Sequence, residues 1–485
     1  MNKQYILAID QSTSGTKALI LDEEGRVVSQ TGREHRQKIS AEGWVSHDPV
    51  EIYRNTIAAA ADALSRPGMA PLVACAAVSN QRETALVWDR KTGIPVDDAV
   101  VWQCSRGAEI CGRIRDMAED IQKKTGLPLS PYFSASKVAW LLEHTGNLHN
   151  KNLFAGTVDS WLVYKLTGNF KTDWSNASRT QLLNLHTLTW DQDICGSFGI
   201  DPALLPEICD SNACFGHTDF EGLLPRPVPL HCAMGDSHAS LFGQGCLEKG
   251  MGKVSYGTGS SVMVNTGEQP VFRENLSTSI AWGMNGRVNY ALEGNINYSG
   301  AVIKWLVEDV KLLSSAALAG HEAAAANPED TTYLVPAFSG LGAPYWAEDA
   351  KAAFWGMTRK TGRAELIKAA EECIAYQIAD VIRTIGEEGI TLRELRIDGG
   401  GSGDRYLLQF QSDILNLPVS VSTAGELSGM GAAYAAGLAL GIYDHGIFSR
   451  RSSAGYEPTM DGERRKRLYG GWLEAVRAVT GAGRA

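Results

Sequence analysis

The chain has 485 residues, more than the roughly 250–300 that one hydrophobic core usually serves, so two large domains are expected. Its 21% charged and 44% hydrophobic residues are those of an ordinary globular protein, and a formal net charge of −10 argues against nucleic acid, which needs a basic face. Met1 to Asp10 has no cationic region before a long apolar core, and no apolar run approaches the roughly 20 residues of a membrane span, so neither a secretory signal nor membrane insertion is expected.

The nine cysteines are scattered from Cys75 to Cys373 without a C-x-x-C pair. That pattern excludes the usual metal spacings and points to free thiols in a reducing, cytoplasmic setting. Cys104 with Cys111, and Cys209 with Cys214, read as structural.

In chain order, Tyr5 to Ile9 is a short apolar run that reads as a buried strand. The turn Asp10-Gln-Ser-Thr-Ser-Gly15 follows, then a strand over Lys17 to Leu21, a turn at Asp22 to Gly25, and a third strand from Val27. A related pattern recurs halfway: a strand over Gly252 to Tyr256, the turn Gly257-Thr-Gly-Ser-Ser261, and a strand over Val262 to Asn265. The chain therefore reads as two similar halves, with a boundary near Cys246 to Gly252. The alanine-rich Ser314 to Asn327 reads as a surface helix. Ala364 to Ile385 has helical apolar spacing, starting after Thr361-Gly362 and ending before Gly389. A helix is expected from about Arg405, and another, rich in Gly and Ala, over Leu427 to Leu440.

No G-x-x-x-x-G-K-[ST] sequence and no strand–GxGxxG–helix unit is present, which disfavours P-loop and dinucleotide folds. Three turns remain that could handle phosphate. In Asp10 to Lys17 the small residues admit backbone N–H groups to phosphate oxygens, Thr13 and Ser14 add donors, and Lys17 adds a cation. Asp10, at a strand end, could hold Mg²⁺ directly or through water; the bland alternative is a polar hairpin. Gly257-Thr258-Gly259 is the second turn. The third is Asp398-Gly-Gly-Gly-Ser-Gly403, whose glycines let backbone lie flat against a ligand before a helix begins.

Asn80-Gln-Arg-Glu-Thr84 places Arg82 and Glu83 side by side, able to bond a vicinal diol, although alone it also suits a surface salt-bridge turn. Trp102 offers an apolar wall or is plain core. Asp236, in Met234-Gly-Asp-Ser-His238, is a carboxylate at a strand end that could accept a hydroxyl proton, with His238 as the rival base.

Together these motifs resemble the FGGY carbohydrate kinases, and within them the glycerol kinase branch, over nearly the whole chain from Ile6 to about Tyr443. The resemblance is carried by Asp10-Gln11 with Thr13, Asn80-Gln-Arg-Glu-Thr84, Val101-Trp-Gln103, Pro131-Tyr-Phe-Ser134, Asn176-Ala-Ser-Arg-Thr180, Gly235-Asp236, Tyr256-Gly-Thr-Gly259, Pro336-Ala-Phe-Ser-Gly-Leu-Gly-Ala-Pro-Tyr345 and Asp398-Gly-Gly400. It implies an α/β fold of two actin-like (ribonuclease H-like) domains, here 1–248 and 249–485, with ATP in the cleft between them. The first domain would carry the acceptor site and the base, and the second the nucleotide.

The resemblance further implies Mg²⁺, for which Asp10 is the expected ligand, and ATP contacts at Thr13, Ser14, Thr258, Gly300, Gly400 and Asp404, to which the residues themselves add Gly15, Lys17, Lys304 and Gly401. It implies acceptor contacts at Arg82, Glu83, Tyr132 and Asp236, with Trp102, Ser237 and Ser261 expected beside them. Asp236 is then preferred over His238 as the base, because phosphoryl transfer to an alcohol depends mainly on positioning and charge stabilisation. A homodimer or homotetramer is expected.

Four departures from the glycerol kinase pattern stand out. Ser237 replaces a usual Gln and Ser261 a usual aromatic, Lys304 a Gln and Asp404 an Asn. The loop linked to sugar-bisphosphate inhibition is absent before Pro225. The two serines would make a roomier acceptor pocket, so the expected reaction is ATP-dependent phosphorylation of a four- or five-carbon polyol or ketose. Glycerol itself is the alternative. A non-catalytic actin-like nucleotide-binding module and a degenerate sugar sensor are less favoured, since Asp10, Thr13 and Asp236 are all in place.

Overall fold

A computed structural model describes residues 4–422, 425–450 and 453–481. In the first half, β1 (Tyr5–Gln11), β2 (Gly15–Leu21) and β3 (Val27–Glu34) form an antiparallel meander. β4 (Val73–Asn80) and β6 (Val228–Gly235) extend it in parallel, and β5 (Cys214–Thr218) closes the edge, giving the order β5-β6-β4-β1-β2-β3. The second half repeats the plan. β7 (Met251–Tyr256) pairs antiparallel with β8 (Ser260–Gly267), and β9 (Ser277–Met284) and β10 (Arg287–Ile296) continue that wing. β11 (Glu394–Gly399) and β12 (Val419–Ser422) add in parallel, and β13 (Ser453–Tyr456) ends the order β9-β10-β8-β7-β11-β12-β13. The two halves expected from the echo of their hairpins thus share one strand plan.

The period-2 alternation of β1 buries both faces. Tyr5, Leu7 and Ile9 pack under α1 (Pro49–Ala63) and α2 (Val158–Thr167), among Ile52, Ala59, Trp161 and Leu162. Ile6 and Ala8 face the other way, where α3 (Asp236–Gly243) and a much later helix cover them. In the second half α4 (Gly300–Glu308) and α5 (Arg363–Gly386) pack on the sheet, with Ile367, Ile374, Ile378, Val381 and Ile385 against Val254, Val264, Leu292 and Ile397. The long helix is one residue longer at each end than its apolar spacing predicts. Its start is fixed by Glu365, which reaches back to the Gly362 N–H at 2.8 Å. α6 (Arg405–Leu415) begins where expected, capped by Asp404.

α7 (Leu427–Ala439) departs from a simple two-part reading. It belongs to the second half of the chain, yet Met430, Ala432, Ala433, Tyr434 and Ala436 pack with Ile6, Ala8, Cys75, Ala77 and Met234 of the first sheet. Its small residues serve a close crossing with α3. A Cβ on Gly431 would lie 1.9 Å from the Ala239 carbonyl oxygen, and one on Gly243 would lie 2.5 Å from that of Leu427. The alanine-rich stretch is also not one surface helix. It is a 3-10 turn, Ala316–Leu318, followed by a short helix, Ala319–Ala324. Ala319, Gly320 and Ala323 are buried, and the Gly320 N–H is taken by the Asp404 carboxylate at 3.0 Å.

None of the nine cysteines forms a disulfide. No helix among the described residues is long and apolar enough to cross a membrane.

The α3–α7 crossing gives the first prediction. Gly431→Ala must push backbone apart and should destabilise the protein by about 3 kcal/mol, the upper range for overpacking. Gly470→Ala, in the C-terminal helix with nothing within 4 Å of its Cβ, should hold or slightly raise the melting temperature. Calorimetric melting of both variants checks this; equal midpoints would refute the packing argument.

Candidate active site

The three expected phosphate turns lie at corresponding sheet edges. The turn after β1 is closed by the Ser12 N–H on the Gly15 carbonyl, and that after β7 by the Gly257 N–H on the Gly259 carbonyl, both at 2.8 Å. The head of α4 is bound to the second turn: Gly300 donates to the Gly257 carbonyl at 3.0 Å, and Ser299 and Ala301 donate to that of Thr258 at 2.9 and 3.0 Å. Gly399 opens the third turn at φ +92°, where a Cβ would fall 2.1 Å from the Tyr256 carbonyl oxygen. Only glycine fits there.

Gly257, Gly300, Gly400, Gly401 and Asp404 line one cavity of about 550 Å³, together with Tyr256, Ile303, Glu371, Ile374 and Leu407. Glycine backbone beside aliphatic walls suits a nucleotide. Asp404 is not a free ligand, because its carboxylate accepts from the Tyr406 and Leu407 N–H groups at 2.9 and 3.1 Å as the cap of α6. Lys304 does not join this cavity: it is 69% exposed and pairs with Glu308 one turn on. Helical spacing turns it outward from Ile303, which does face the cavity.

A smaller cavity of about 260 Å³ is lined by Asp236, Ser237, Ser240, Lys253, Ser255 and Asp398. Lys253 donates to Ser255 Oγ at 2.7 Å. Asp398 accepts from Ser240 Oγ and Gln244 Nε2 at 2.9 and 2.7 Å, tying β11 to α3. An open groove of about 890 Å³ holds Thr13, Ser14, Gly15, Lys17, Gln103 and again Asp236. Lys17 reaches this groove with its charge already paired to Glu426 at 2.8 Å.

Asp236 therefore belongs to both spaces. It is the first residue of α3, with Oδ1 accepting the Ser237 N–H at 2.6 Å and standing 3.4 Å from Arg82 Nε. Burial raises its pKa, opposed by Arg82 and the Ser237 amide. Burial likewise pushes Asp10 up to about 6, with Ser79 Oγ donating to it at 2.6 Å and the Asp236 charge adding to the rise. His238 faces elsewhere. It is buried, its Nε2 lies 3.0 Å from Ser279 Oγ, and desolvation with Arg82 nearby holds its pKa well below the ordinary histidine value.

The segment 80–84 is no surface turn; every residue in it is buried. Glu83 is held at φ +60°, a backbone cost of about 1–3 kcal/mol for a residue with a Cβ. The reason lies in four buried charges. Arg82 Nη1 and Nη2 donate to the two oxygens of Glu293 at 3.0 and 2.8 Å. Arg179 Nε donates to Glu83 at 2.5 Å, and its Nη1 lies 3.0 Å from Glu293. Side-chain exposures of 6% for Arg82, 1% for Arg179, 2% for Glu83 and 0% for Glu293 leave them to neutralise one another away from water. Burial works against the Glu293 charge, but the two arginines hold its carboxyl well below the usual range.

Ser261 Oγ donates to Glu293 at 3.0 Å. Above the network, Trp102 and Tyr132 meet at 5.5 Å between rings, and Trp102 Nε1 donates to Thr13 Oγ1 at 2.9 Å. Trp102 is thus a partly exposed wall joined to the first turn, not plain core. Sequence reasoning missed Glu293, Lys253 and Glu371, and named Arg179 only within a motif. A lone Lys inside the strand 251–256 and a Glu inside the apolar face of 363–386 were the available signals.

Paired strand-order halves with glycine turns at matched edges, and a carboxylate between two cavities, define a two-domain phosphotransferase. The chain belongs to the FGGY family of carbohydrate kinases: the model of the family's N-terminal domain matches residues 5–243 and that of its C-terminal domain residues 252–440. It is 45% identical to glycerol kinase 1 of Thermotoga maritima, covering 98% of this chain and 99% of that one. It is 42% identical to a glycerol kinase of Alkaliphilus oremlandii, over 98% and 97%. The solved Plasmodium falciparum glycerol kinase with ADP superposes with a TM-score of 0.93 at 35% identity, over 98% of each chain. The protein is accordingly an ATP-dependent kinase acting on a sugar or polyol.

Removing one charge tests the network. Glu293→Gln should cost about 3–5 kcal/mol of stability at neutral pH, the usual loss when a buried pair loses a partner. Because the Glu293 pKa is depressed in the folded protein, its contribution is present above the ordinary glutamate value and lost as pH falls through the folded one. The gap in urea midpoint between wild type and variant should therefore narrow in acid. A gap that is absent at pH 7 or independent of pH would contradict the assignment.

Proposed function

We propose that the protein transfers the γ-phosphoryl group of ATP to a terminal hydroxyl of glycerol, with Asp236 as the base. The position of Asp236, on both the inner cavity and the open groove and 3.4 Å from Arg82, carries the reading. Relatives at 40–45% identity that bear the name glycerol kinase support this acceptor. The four- or five-carbon acceptor expected from Ser237 and Ser261 has less support. Ser261 is bonded to Glu293 rather than left as spare volume, and Ser237 beside Asp236 faces the inner cavity.

In this reading Arg82 and Glu83 hold adjacent hydroxyls, one donating and one accepting, while Trp102 and Tyr132 cover the carbon chain. Asp236 takes the proton of the attacking hydroxyl. Backbone groups of the three turns, with Thr13, Ser14, Gly15, Thr258, Gly400 and Gly401, hold the phosphates. Lys253 supplies positive charge on the inner side of Asp236, while Lys17 lines the outer groove with its charge shared with Glu426.

Among the described residues no group of three or more His, Cys, Asp or Glu could hold a metal alone. That fits Mg²⁺, which takes one or two carboxylates and completes its shell with water and phosphate oxygens. Asp10, with its pKa raised by burial and by Asp236, is a carboxylate that a cation would stabilise. Bound there, Mg²⁺ would supply charge neutralisation for the phosphates.

Asp236→Asn should lower kcat by about 10²–10⁴, the range for loss of general-base catalysis, with ATP affinity changed little. Steady-state kinetics and calorimetric ATP titration test this, and near-normal turnover would remove Asp236 from the base role. Among glycerol, tetritols, pentitols and pentuloses, kcat/KM should be highest for glycerol. A tetritol or pentulose well above it would restore the larger acceptor.

A further inference from the structure

Most polar side chains lining the 550 Å³ cavity are already committed inside the protein. The Tyr256 hydroxyl donates to Gln411 at 3.0 Å, Ser299 accepts from Ser260 at 2.7 Å, and Asp404 caps α6. Glu371 is different. It lines the cavity, it is 2% exposed, and none of the described residues hydrogen-bonds or ion-pairs with its carboxyl group. A buried carboxyl with no partner costs free energy unless something else satisfies it. Here the free side of the group is the cavity.

The walls beside it narrow the ligand. Ile374 lies one helical turn from Glu371 on the same face of α5, Leu407 faces it from α6 and Ile303 from α4. Aliphatic walls of this kind suit the faces of a flat base, and a single carboxyl among them suits its edge.

Taking this cavity as the nucleotide site, as the proposed function does, we propose that Glu371 reads the nucleobase, accepting a hydrogen bond from the 6-amino group of adenine. The surroundings favour this over guanine. An ionised carboxylate would match the two adjacent N–H donors of guanine, whereas a neutral carboxyl presents one acceptor and one donor. Burial, with the Asp404 carboxylate nearby, pushes Glu371 up to about 8. The neutral group can take the amino hydrogen of adenine and donate to the neighbouring ring nitrogen.

The test compares ATP with purine riboside 5′-triphosphate, which lacks the 6-amino group, and with GTP, by calorimetric titration of the full-length protein without acceptor. Wild type should bind ATP about ten-fold more tightly than the purine analogue, the scale of one net hydrogen bond. Glu371→Leu should bring the two within about two-fold, weakening ATP more than the analogue, which loses only the bond to its ring nitrogen. Glu371→Gln, which keeps an acceptor and a donor, should retain the preference and guards against misfolding of the leucine variant. An unchanged ATP-to-analogue ratio in Glu371→Leu, an equal loss for all three nucleotides, or tighter binding of GTP than ATP by wild type would each overturn the assignment while leaving the kinase reading intact. Failure of wild type to bind any of the three would overturn both.

Discussion

Two arginines and two glutamates, almost inaccessible to water, hold one another where the halves of the molecule meet. Arg82, Glu83 and Arg179 come from the first half and Glu293 from the second. Each would cost several kcal/mol to bury alone. Together their formal charges cancel, so the site folds only when β10 of one sheet closes against the turn after β4 of the other. The strained backbone of Glu83 persists for the same reason: its carboxylate is fixed by Arg179, and its carbonyl accepts from Ser134 Oγ at 3.2 Å. Stability and site geometry are thus one requirement.

Asp236 is a fifth charge at the edge of this group, and the four others set its environment. A carboxylate beside a compensated arginine feels less attraction than it would beside a free one. Burial therefore prevails and leaves Asp236 with a raised pKa, suited to accepting a proton, while Arg82 offsets part of the rise and fixes its direction. The indole of Trp102 adds a second link. By donating to Thr13 it ties the aromatic pair to the first glycine-hydroxyl turn, so the acceptor and phosphate sides of the proposed site share one strut.

Much of the architecture was legible because it rests on local rules. A short apolar run marked β1, the hairpin that follows marked β2, its echo marked β7, glycines and hydroxyls marked the turns, and 3.6-residue spacing marked α5 within a residue of its ends. What could not be read depends on distant pairing. Glu293 lies 211 positions from Arg82, inside a strand that looks like any other, and gains its role only from the cations that face it. Lys304 lies off the cavity because it sits on the outer face of α4, whereas Asp404 lines the cavity with its carboxylate already taken by the amides of its own helix. The alanine-rich stretch misled in the opposite sense. Its composition suited a free helix, whereas the Asp404 carboxylate at Gly320 breaks it into two short pieces.

The placement of α7 has a consequence for how the chain is made. The first sheet is written in residues 5–235, yet one of its faces is finished by Met430, Ala433, Tyr434 and Ala436. A nascent chain emerges from its N-terminus at about 5–20 residues per second, and leading domains ordinarily fold as they appear. This one cannot complete its interior on that schedule. For the time it takes to add some two hundred further residues, the even-numbered face of β1 has α3 but not α7 over it, and the first half waits on nearly the last helix to leave the ribosome.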